Sequence, residues 1–96
     1  MAVTLVTEIP GATHELYDKV RDNLGMSQEG ALIQGQLAHI ASPMDGGWRV
    51  VDVWESEDAF NKFSKERLGP ALAAAGAPMS GPPKFFPVHT FHAREA

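Results

Sequence analysis

The chain has 96 residues, 44% of them hydrophobic, and a formal net charge of −4 at pH 7. This length and composition fit one small globular domain, which we expect to span residues 1–96, and argue against disorder. The mild acidity and the lack of any Lys/Arg run argue against nucleic acid as the main partner. With no cysteine, disulfides, thiolate nucleophiles and cysteine-based zinc sites are excluded.

The N-terminal residues, Met1 to Thr4, do not combine a basic segment with a long apolar run. A secretory signal or a membrane span would need such a run. We therefore expect no membrane association and a cytoplasmic location.

The first half of the chain predicts a strand, a helix and a second strand. Residues 3–9 alternate and are rich in β-branched side chains, which is typical of a strand. Thr13 is the expected N-cap of a helix whose apolar residues recur at helical spacing until Gly25. Residues 31–41 are the second strand candidate. The turn formers at 42–47 predict that the next strand returns antiparallel as a hairpin.

The second half predicts a strand, a helix and a last strand. Trp48 to Glu55 reads as a strand, and Ser56 as the N-cap of the second helix. A Gly-Pro pair interrupts that helix, so Pro70 to Ala75 is expected as a separate helical piece. Residues 84–91 are the final strand candidate, where Pro87 predicts an edge position because it cannot donate a hydrogen bond. The five phenylalanines are expected in the core.

The element order is strand, helix, strand, strand, helix, strand. It predicts a ferredoxin-like α+β fold, βαββαβ, with a four-stranded antiparallel sheet and two helices on one face. The other face of such a sheet needs cover. Most of the predicted strands carry large apolar side chains on both faces, so we expect a homodimer whose sheets pack together.

The junction between the third strand and the second helix reads Val-Asp-Val-Trp-Glu-Ser-Glu-Asp-Ala-Phe at positions 51–60. It resembles the "acidic, x, Trp, x-Ser/Asp, acidic, Ala, Phe" junction of the dimeric α/β-barrel superfamily, which includes the antibiotic biosynthesis monooxygenase (ABM) domain. The element order extends this resemblance over nearly the whole chain. It implies a homodimeric barrel with a small cavity in each subunit. Some relatives oxidise aromatic polyketides or quinols with oxygen and no cofactor; others degrade haem, decarboxylate, dehalogenate, or have no known activity.

The chain departs from the ABM pattern in its second helix. Many ABM-like chains carry a histidine a few residues after the aromatic position, whereas residues 61–66 here read Asn-Lys-Phe-Ser-Lys-Glu. The Asn-Trp-Arg style site of the cofactor-free polyketide oxygenases also has no counterpart. The resemblance therefore supports the fold more strongly than the monooxygenase reaction.

His39 and Asp52 are the candidate catalytic residues. Asp52 lies among valines, where a carboxylate needs hydrogen bonds or a cation. His39 lies on an apolar strand face and can bind or abstract a proton. If the hairpin pairs residues whose numbers sum to 91, the two are directly opposite; at 89 they are diagonal, and an even sum separates them onto opposite faces. The structural alternative is a satisfied core histidine beside an acid bonded to backbone or arginine.

Five more residues are candidate substrate contacts: Trp48, Trp54, Tyr17, Phe63 and His89. The tryptophans share strand parity with Asp52, and as cavity walls they would favour a flat aromatic ligand. Tyr17 would offer a hydroxyl from the first helix, Phe63 points inward from the second, and His89 could enter the cavity of His39. For each, ordinary packing is the structural alternative.

No metal site and no cofactor are expected. His89 and His92 are three residues apart, so in a strand they face opposite sides, and neither Glu-x-x-His nor His-Glu-x-x-His occurs. Haem binding through His39 or His89 stays open as an alternative, and it predicts a Soret shift when haemin is added.

Two functions of different class follow. The first is cofactor-free, ABM-like oxygenation of a small aromatic or polyketide-like compound. In it His39, supported by Asp52, deprotonates the substrate in a dry pocket, and the carbanion reduces oxygen. The second is a non-catalytic small-ligand-binding or interaction module that uses the barrel as a scaffold, an alternative favoured by the missing family histidine.

Overall fold

The computed structural model describes residues 1–26, 32–77 and 83–94. The four described strands form one antiparallel sheet in the order β2-β3-β1-β4: β1 (Val3–Pro10), β2 (Gln36–Met44), β3 (Gly47–Trp54) and β4 (Phe86–Pro87). The helices are α1 (His14–Asn23), α2 (Glu57–Phe63) and α3 (Gly69–Ala75), the last two joined by a π-helical turn over Ser64–Leu68. This is the ferredoxin-like α+β fold predicted from the sequence, with α2, the π turn and α3 as its second helical arm.

The main core lies between the sheet and α2. Val3, Leu5, Trp54 and Phe60 are its buried members. The Trp54 side chain is fully covered, with its ring centroid 5.4 Å from that of Phe60 in an edge-on contact. A second cluster of Val20, Ala71 and Ala75 joins α1 to α3. These two clusters hold both helical arms in place and leave a space beside β2 and β3.

Both predicted helix N-caps are confirmed. The Thr13 hydroxyl accepts a hydrogen bond from the Leu16 amide at 3.2 Å, and the Ser56 hydroxyl accepts one from the Ala59 amide at 3.1 Å. Each cap satisfies one of the backbone donors that a helix start leaves unpaired.

The second helical arm differs from the expected two separate pieces. It runs on through the Gly-Pro pair, and the intervening residues adopt a π turn in which the Gly69 amide donates to the Ser64 carbonyl. Pro70 has no N–H, and its ring would clash with the carbonyl four residues earlier in a regular α-helix. A π turn widens the helix at this point, so the chain accommodates the proline without ending the arm.

The second strand begins and ends later than predicted. It spans Gln36–Met44 rather than residues 31–41, and residue 31 lies outside the described part of the chain. The connection to β3 is a two-residue turn, so residues assigned to a longer turn are paired instead. Gly46 has a φ of 74°, and a Cβ on Gly47 would lie 2.5 Å from the Ile9 carbonyl oxygen. Gly46 therefore provides the left-handed conformation of the turn, and Gly47 allows the close approach of β1.

The last strand is shorter than predicted. Only Phe86–Pro87 pair with β1, and β4 is an edge strand, as the proline indicated. The expectation that all five phenylalanines are core is wrong for two: Phe86 is 59% exposed and Phe91 is 45% exposed. Phe86 stands opposite Thr4 and so lies on the same face of the sheet as the exposed Val6, while Phe91 follows the paired residues.

One face of the sheet carries exposed apolar side chains. Val6 and Ile40 both stand opposite Val51, one from each neighbouring strand, and are 47% and 60% exposed. We call this row the outer face. None of the helices within the described ranges is long and apolar enough to cross a bilayer.

Candidate functional site

The hairpin of β2 and β3 brings His39 and Asp52 together. The strands pair residues whose numbers sum to 91, so these two stand directly opposite each other. The His39 Nδ1 and Asp52 Oδ1 atoms are 2.6 Å apart. Of the registers that the sequence left open, the structure has the one with the closest approach.

Asp52 is a buried carboxylate with two side-chain donors. The residue is 8% exposed, and its Oδ1 atom also accepts a hydrogen bond from Gln36 Nε2 at 3.2 Å. A carboxylate in the interior is stable only when such donors replace water. An ionised carboxylate only accepts hydrogen bonds, so the proton in the contact with His39 lies on Nδ1. Asp52 thereby fixes the orientation of the imidazole ring, and in the neutral form of that ring Nε2 is left as an acceptor.

Gln36 was not among the sequence candidates, because alternation places it on the opposite face from His39. A bulge between Gln36 and Ala38 breaks that alternation, and Gln36 pairs with Trp54 on the face that carries His39. A bulge adds one residue to a strand and re-aims the side chains before it. Nothing in the local sequence marked it apart from the isolated Gly35 next to it.

Tyr17 reaches the same pair from α1. Its hydroxyl oxygen lies 2.6 Å from His39 Nε2, and the two rings are almost parallel, at 8°. Arg21, one helical turn further on, donates from Nη1 to the Tyr17 hydroxyl at 3.3 Å and places its guanidinium carbon 5.8 Å from the ring centroid. Arg21 was also missed, although its i,i+4 spacing from Tyr17 is a signal that could have found it.

Trp48 forms an aromatic wall beside this chain of contacts. Its ring centroid is 5.2 Å from that of Tyr17 and 6.0 Å from that of His14. Trp48 is 9% exposed, so most of the indole is covered by these neighbours. His14 in turn lies 3.0 Å from Asp18 at the surface of α1.

A cavity of about 630 Å³ opens onto these side chains. Five of the predicted site residues line it: Tyr17, His39, Trp48, Asp52 and Phe63. The remaining wall is mainly apolar and comes from β1, α1 and the π turn. A volume of this size suits a small organic molecule. Tyr17, His39 and Asp52 form a hydrogen-bonded group in its wall, which also includes the charged residues Glu8 and Lys84.

The other two predicted site residues lie elsewhere. Trp54 belongs to the main core with Phe60 and is not part of the cavity wall. It shares a face with Trp48, but it lies at the end of β3 that α2 covers. His89 is exposed and follows the short β4, away from the cavity lining. The site that the structure assembles therefore consists of the other five residues, together with Gln36 and Arg21.

The described residues contain no cluster of three or more His, Asp or Glu side chains placed to hold a metal ion. For haem, both ring nitrogens of His39 are within hydrogen-bond distance of protein groups, on Asp52 and Tyr17. Ligation of iron by His39 would require one of these two short contacts to break.

Comparison with known proteins bears on the fold. No protein-family model matches the sequence, and no curated protein matches it either. Among solved structures, the chain is similar to a mutant of SnoaB, a cofactor-independent oxygenase from Streptomyces nogalater, with a TM-score of 0.60 and 15% identity over 94% of this chain and 95% of that one. It is also similar to a protein from Caulobacter crescentus provisionally named as an antibiotic biosynthesis monooxygenase, with a TM-score of 0.55 and 21% identity over 95% and 89% of the two chains. The chain therefore has the ferredoxin-like fold of these two proteins, as its sequence predicted.

Proposed function

We propose that this protein is a homodimeric, cofactor-independent oxygenase that acts on a small aromatic or polyketide-like compound. The observation that carries the proposal is the Asp52–His39 pair, 2.6 Å apart, in the wall of a mainly apolar cavity. The name of SnoaB as a cofactor-independent oxygenase supports the same chemistry on this fold.

The reaction needs a substrate whose carbanion can reduce oxygen. His39, held by Asp52, takes up the proton of an acidic C–H group, and the electron pair stays on the substrate as an enolate. Electron transfer to O₂ and recombination form a C–O bond and a substrate peroxide anion, which takes the proton back. Loss of water from the hydroperoxide converts the original CH₂ group to a carbonyl. One O₂ is consumed, one of its oxygen atoms stays on the substrate, and the other leaves as water.

The cavity supplies the two conditions that this reaction requires. Trp48 and Phe63 offer flat apolar surface for an aromatic ring. A bound ring that fills the mainly apolar cavity would displace water, which would otherwise protonate the anion before oxygen reacts. The carboxylate of Asp52 stabilises the imidazolium that forms during proton uptake, as the acid of a catalytic triad does.

The test is oxygen uptake by the purified, metal-free and flavin-free protein with a panel of anthrones, hydroquinones and related enolisable aromatics. We expect wild type to consume oxygen with at least one member, and His39→Ala and Asp52→Asn to lower turnover by about 10²- to 10⁴-fold. His92→Ala, which removes an exposed histidine from the C-terminal segment, is the matched control and should retain full turnover. Unchanged turnover in both site variants would refute this assignment.

The second candidate is a non-catalytic ligand-binding module. One specific observation favours it: both nitrogens of His39 are already engaged by Asp52 and Tyr17, as in a structural histidine. A thermal-shift screen with quinones and flavonoids separates the two functions. Stabilisation together with oxygen uptake supports the oxygenase, and stabilisation without turnover of any stabilising compound supports the binder.

The dimer in this proposal is supported by the outer face. Val6, Ile40 and Val51 form an apolar row across three strands on the side of the sheet away from Trp54 and Asp52. Contiguous exposed apolar surface of this kind marks interaction sites. A second copy of the chain, packed sheet to sheet, is the cover that the ABM-like architecture implies.

A further inference from the structure

Direct uptake of the substrate proton by His39 leaves one feature of the site unexplained. The Nε2 atom of His39, the only ring nitrogen not turned to Asp52, lies 2.6 Å from the Tyr17 hydroxyl. A substrate in the cavity therefore meets the tyrosine oxygen where a direct base would present its nitrogen.

The hydrogen-bonding capacity of that oxygen points to its role. The hydroxyl has one proton, which it donates to Nε2 because the neutral His39 ring already carries its proton on Nδ1. The oxygen can also accept hydrogen bonds, and Arg21 Nη1 supplies one at 3.3 Å. Tyr17 lines the cavity, so its remaining lone pair is available to a proton on a bound molecule.

We propose that Tyr17 is the catalytic residue that exchanges the proton with the substrate, and that His39 and Asp52 act through it as a proton relay. This inference rests on the proposed function, because it assigns the first step of that reaction. It also changes the role of His39 from direct base to positioning residue and proton store.

The relay moves one proton from the substrate to His39. As the substrate proton bonds to the Tyr17 oxygen, the hydroxyl proton of Tyr17 passes to Nε2 across the 2.6 Å contact. After these two transfers, Tyr17 is again a neutral phenol, His39 is an imidazolium paired with Asp52, and the substrate is an enolate. When the peroxide anion forms, the same path runs in reverse and returns the proton.

Arg21 assists at the point where charge develops. While the two protons are in transit, negative charge builds up on the Tyr17 oxygen. A guanidinium that already donates to this oxygen stabilises that charge with little rearrangement. Its position above the tyrosine ring also holds the ring against turning away from His39.

The first test compares three variants with a substrate that the oxygen-uptake screen identifies. In the relay, Tyr17→Phe and His39→Ala each lower turnover by about 100-fold or more, and the double variant is no more than about 3-fold worse than either. If Tyr17 only caps the histidine, Tyr17→Phe frees Nε2, and turnover stays the same or rises. That result would overturn the proposal.

The second test needs no turnover, so it separates failure of the relay from failure of the oxygenase assignment. The probes are 4-methylphenol, which stays un-ionised at neutral pH and can donate a proton to the Tyr17 oxygen, and 4-methylanisole, which has the same ring and no O–H. Wild type should bind the phenol about 5- to 10-fold more tightly, as one additional hydrogen bond predicts. In Tyr17→Phe/His39→Ala, which also removes the Nε2 acceptor that Tyr17→Phe alone would free, this preference should fall below about 2-fold. In His39→Ala and His92→Ala, which keep the Tyr17 oxygen, it should persist.

Two results of the binding test overturn the proposal even if an oxygenase substrate is found. One is a wild-type protein that does not prefer the phenol to the anisole. The other is a Tyr17→Phe/His39→Ala variant that keeps the preference or a His39→Ala variant that loses it. Conversely, a panel without any oxygen uptake defeats the proposed function. A phenol preference that persists in His39→Ala and is lost in Tyr17→Phe/His39→Ala still identifies Tyr17 as the group that meets a ligand. A thermal melt of each variant checks that it is folded.

Discussion

The Tyr17 hydroxyl and the His39 Nε2 atom lie 2.6 Å apart, although Tyr17 belongs to α1 and His39 belongs to β2. The contact joins the first helix to the sheet in the wall of the cavity. It also joins the helix pair Tyr17 and Arg21 to the strand pair His39 and Asp52. These four side chains form one continuous hydrogen-bonded path from the cavity wall into the interior.

Gln36 is predicted to stabilise the site through Asp52. Gln36→Leu removes a donor from a buried carboxylate, and a hydrogen bond to a charged group is worth about 1.5–3 kcal/mol. The same substitution also removes the acceptor of the Ile33 amide. We expect a loss of that size in the free energy of unfolding, measured by urea denaturation. Gln34→Leu makes the same change at an exposed position and should alter it by less than about 0.5 kcal/mol. Equal effects of the two would show that the contact with Asp52 contributes nothing.

Trp54 is predicted to be a core residue rather than a ligand contact. Trp54→Ala should destabilise the fold by about 3–5 kcal/mol, because the side chain is fully covered and its removal leaves a cavity. Phe91→Ala, an aromatic truncation at a residue that is 45% exposed, should cost less than about 0.5 kcal/mol. Chemical denaturation measures both. A Trp54→Ala variant as stable as Phe91→Ala would disprove the burial.

Ser56 is predicted to stabilise the start of α2. Ser56→Ala removes the acceptor for the Ala59 amide and should cost about 1 kcal/mol of unfolding free energy. Ser56→Asn, which keeps an oxygen able to cap, should stay within about 0.5 kcal/mol of wild type. Thermal unfolding of the two variants checks the prediction, which fails if alanine and asparagine have the same effect.

The outer face is predicted to mediate dimerisation. Ile40→Glu places a charge in the middle of the apolar row and should convert the dimer to monomer in sedimentation velocity, because a buried, unpaired carboxylate is strongly unfavourable. Asn61→Glu adds the same charge on the exposed side of α2 and should leave the dimer intact. A wild-type protein that sediments as a stable monomer at micromolar concentration would contradict the dimer itself.

The sequence predicted which side chains of the hairpin share a face better than it predicted which of them border the cavity. Strand parity and turn chemistry narrowed the hairpin to a few registers, one of which pairs His39 with Asp52 as observed. Parity also grouped Trp48 with Trp54, and the structure confirms that they share a face. Parity cannot say which end of a strand a helix covers, however, and only Trp48 borders the cavity.

The parts that could not be predicted depend on local irregularities and on contacts between distant elements. The bulge before Ala38 turns Gln36 toward Asp52 and defeats a simple odd-even count. The length of the last strand depends on how far the chain stays beside β1, which its own residues do not encode. The Tyr17–His39 contact depends on how α1 packs on the sheet. The apolar pattern of the helix predicts which side faces the sheet, but not where along the strands each helix residue lies.

The direct test of the central claim is the proton position on His39, measured by long-range ¹H–¹⁵N NMR of the labelled protein. We predict a neutral ring with the proton on Nδ1 and an unprotonated Nε2, together with a hydroxyl proton resonance from the only tyrosine of the chain. His39→Ala identifies the ring signals, and Tyr17→Phe should abolish the hydroxyl resonance. A neutral His39 with its proton on Nε2 would contradict the path from Asp52 through His39 to Tyr17, and with it the role of these residues in proton transfer.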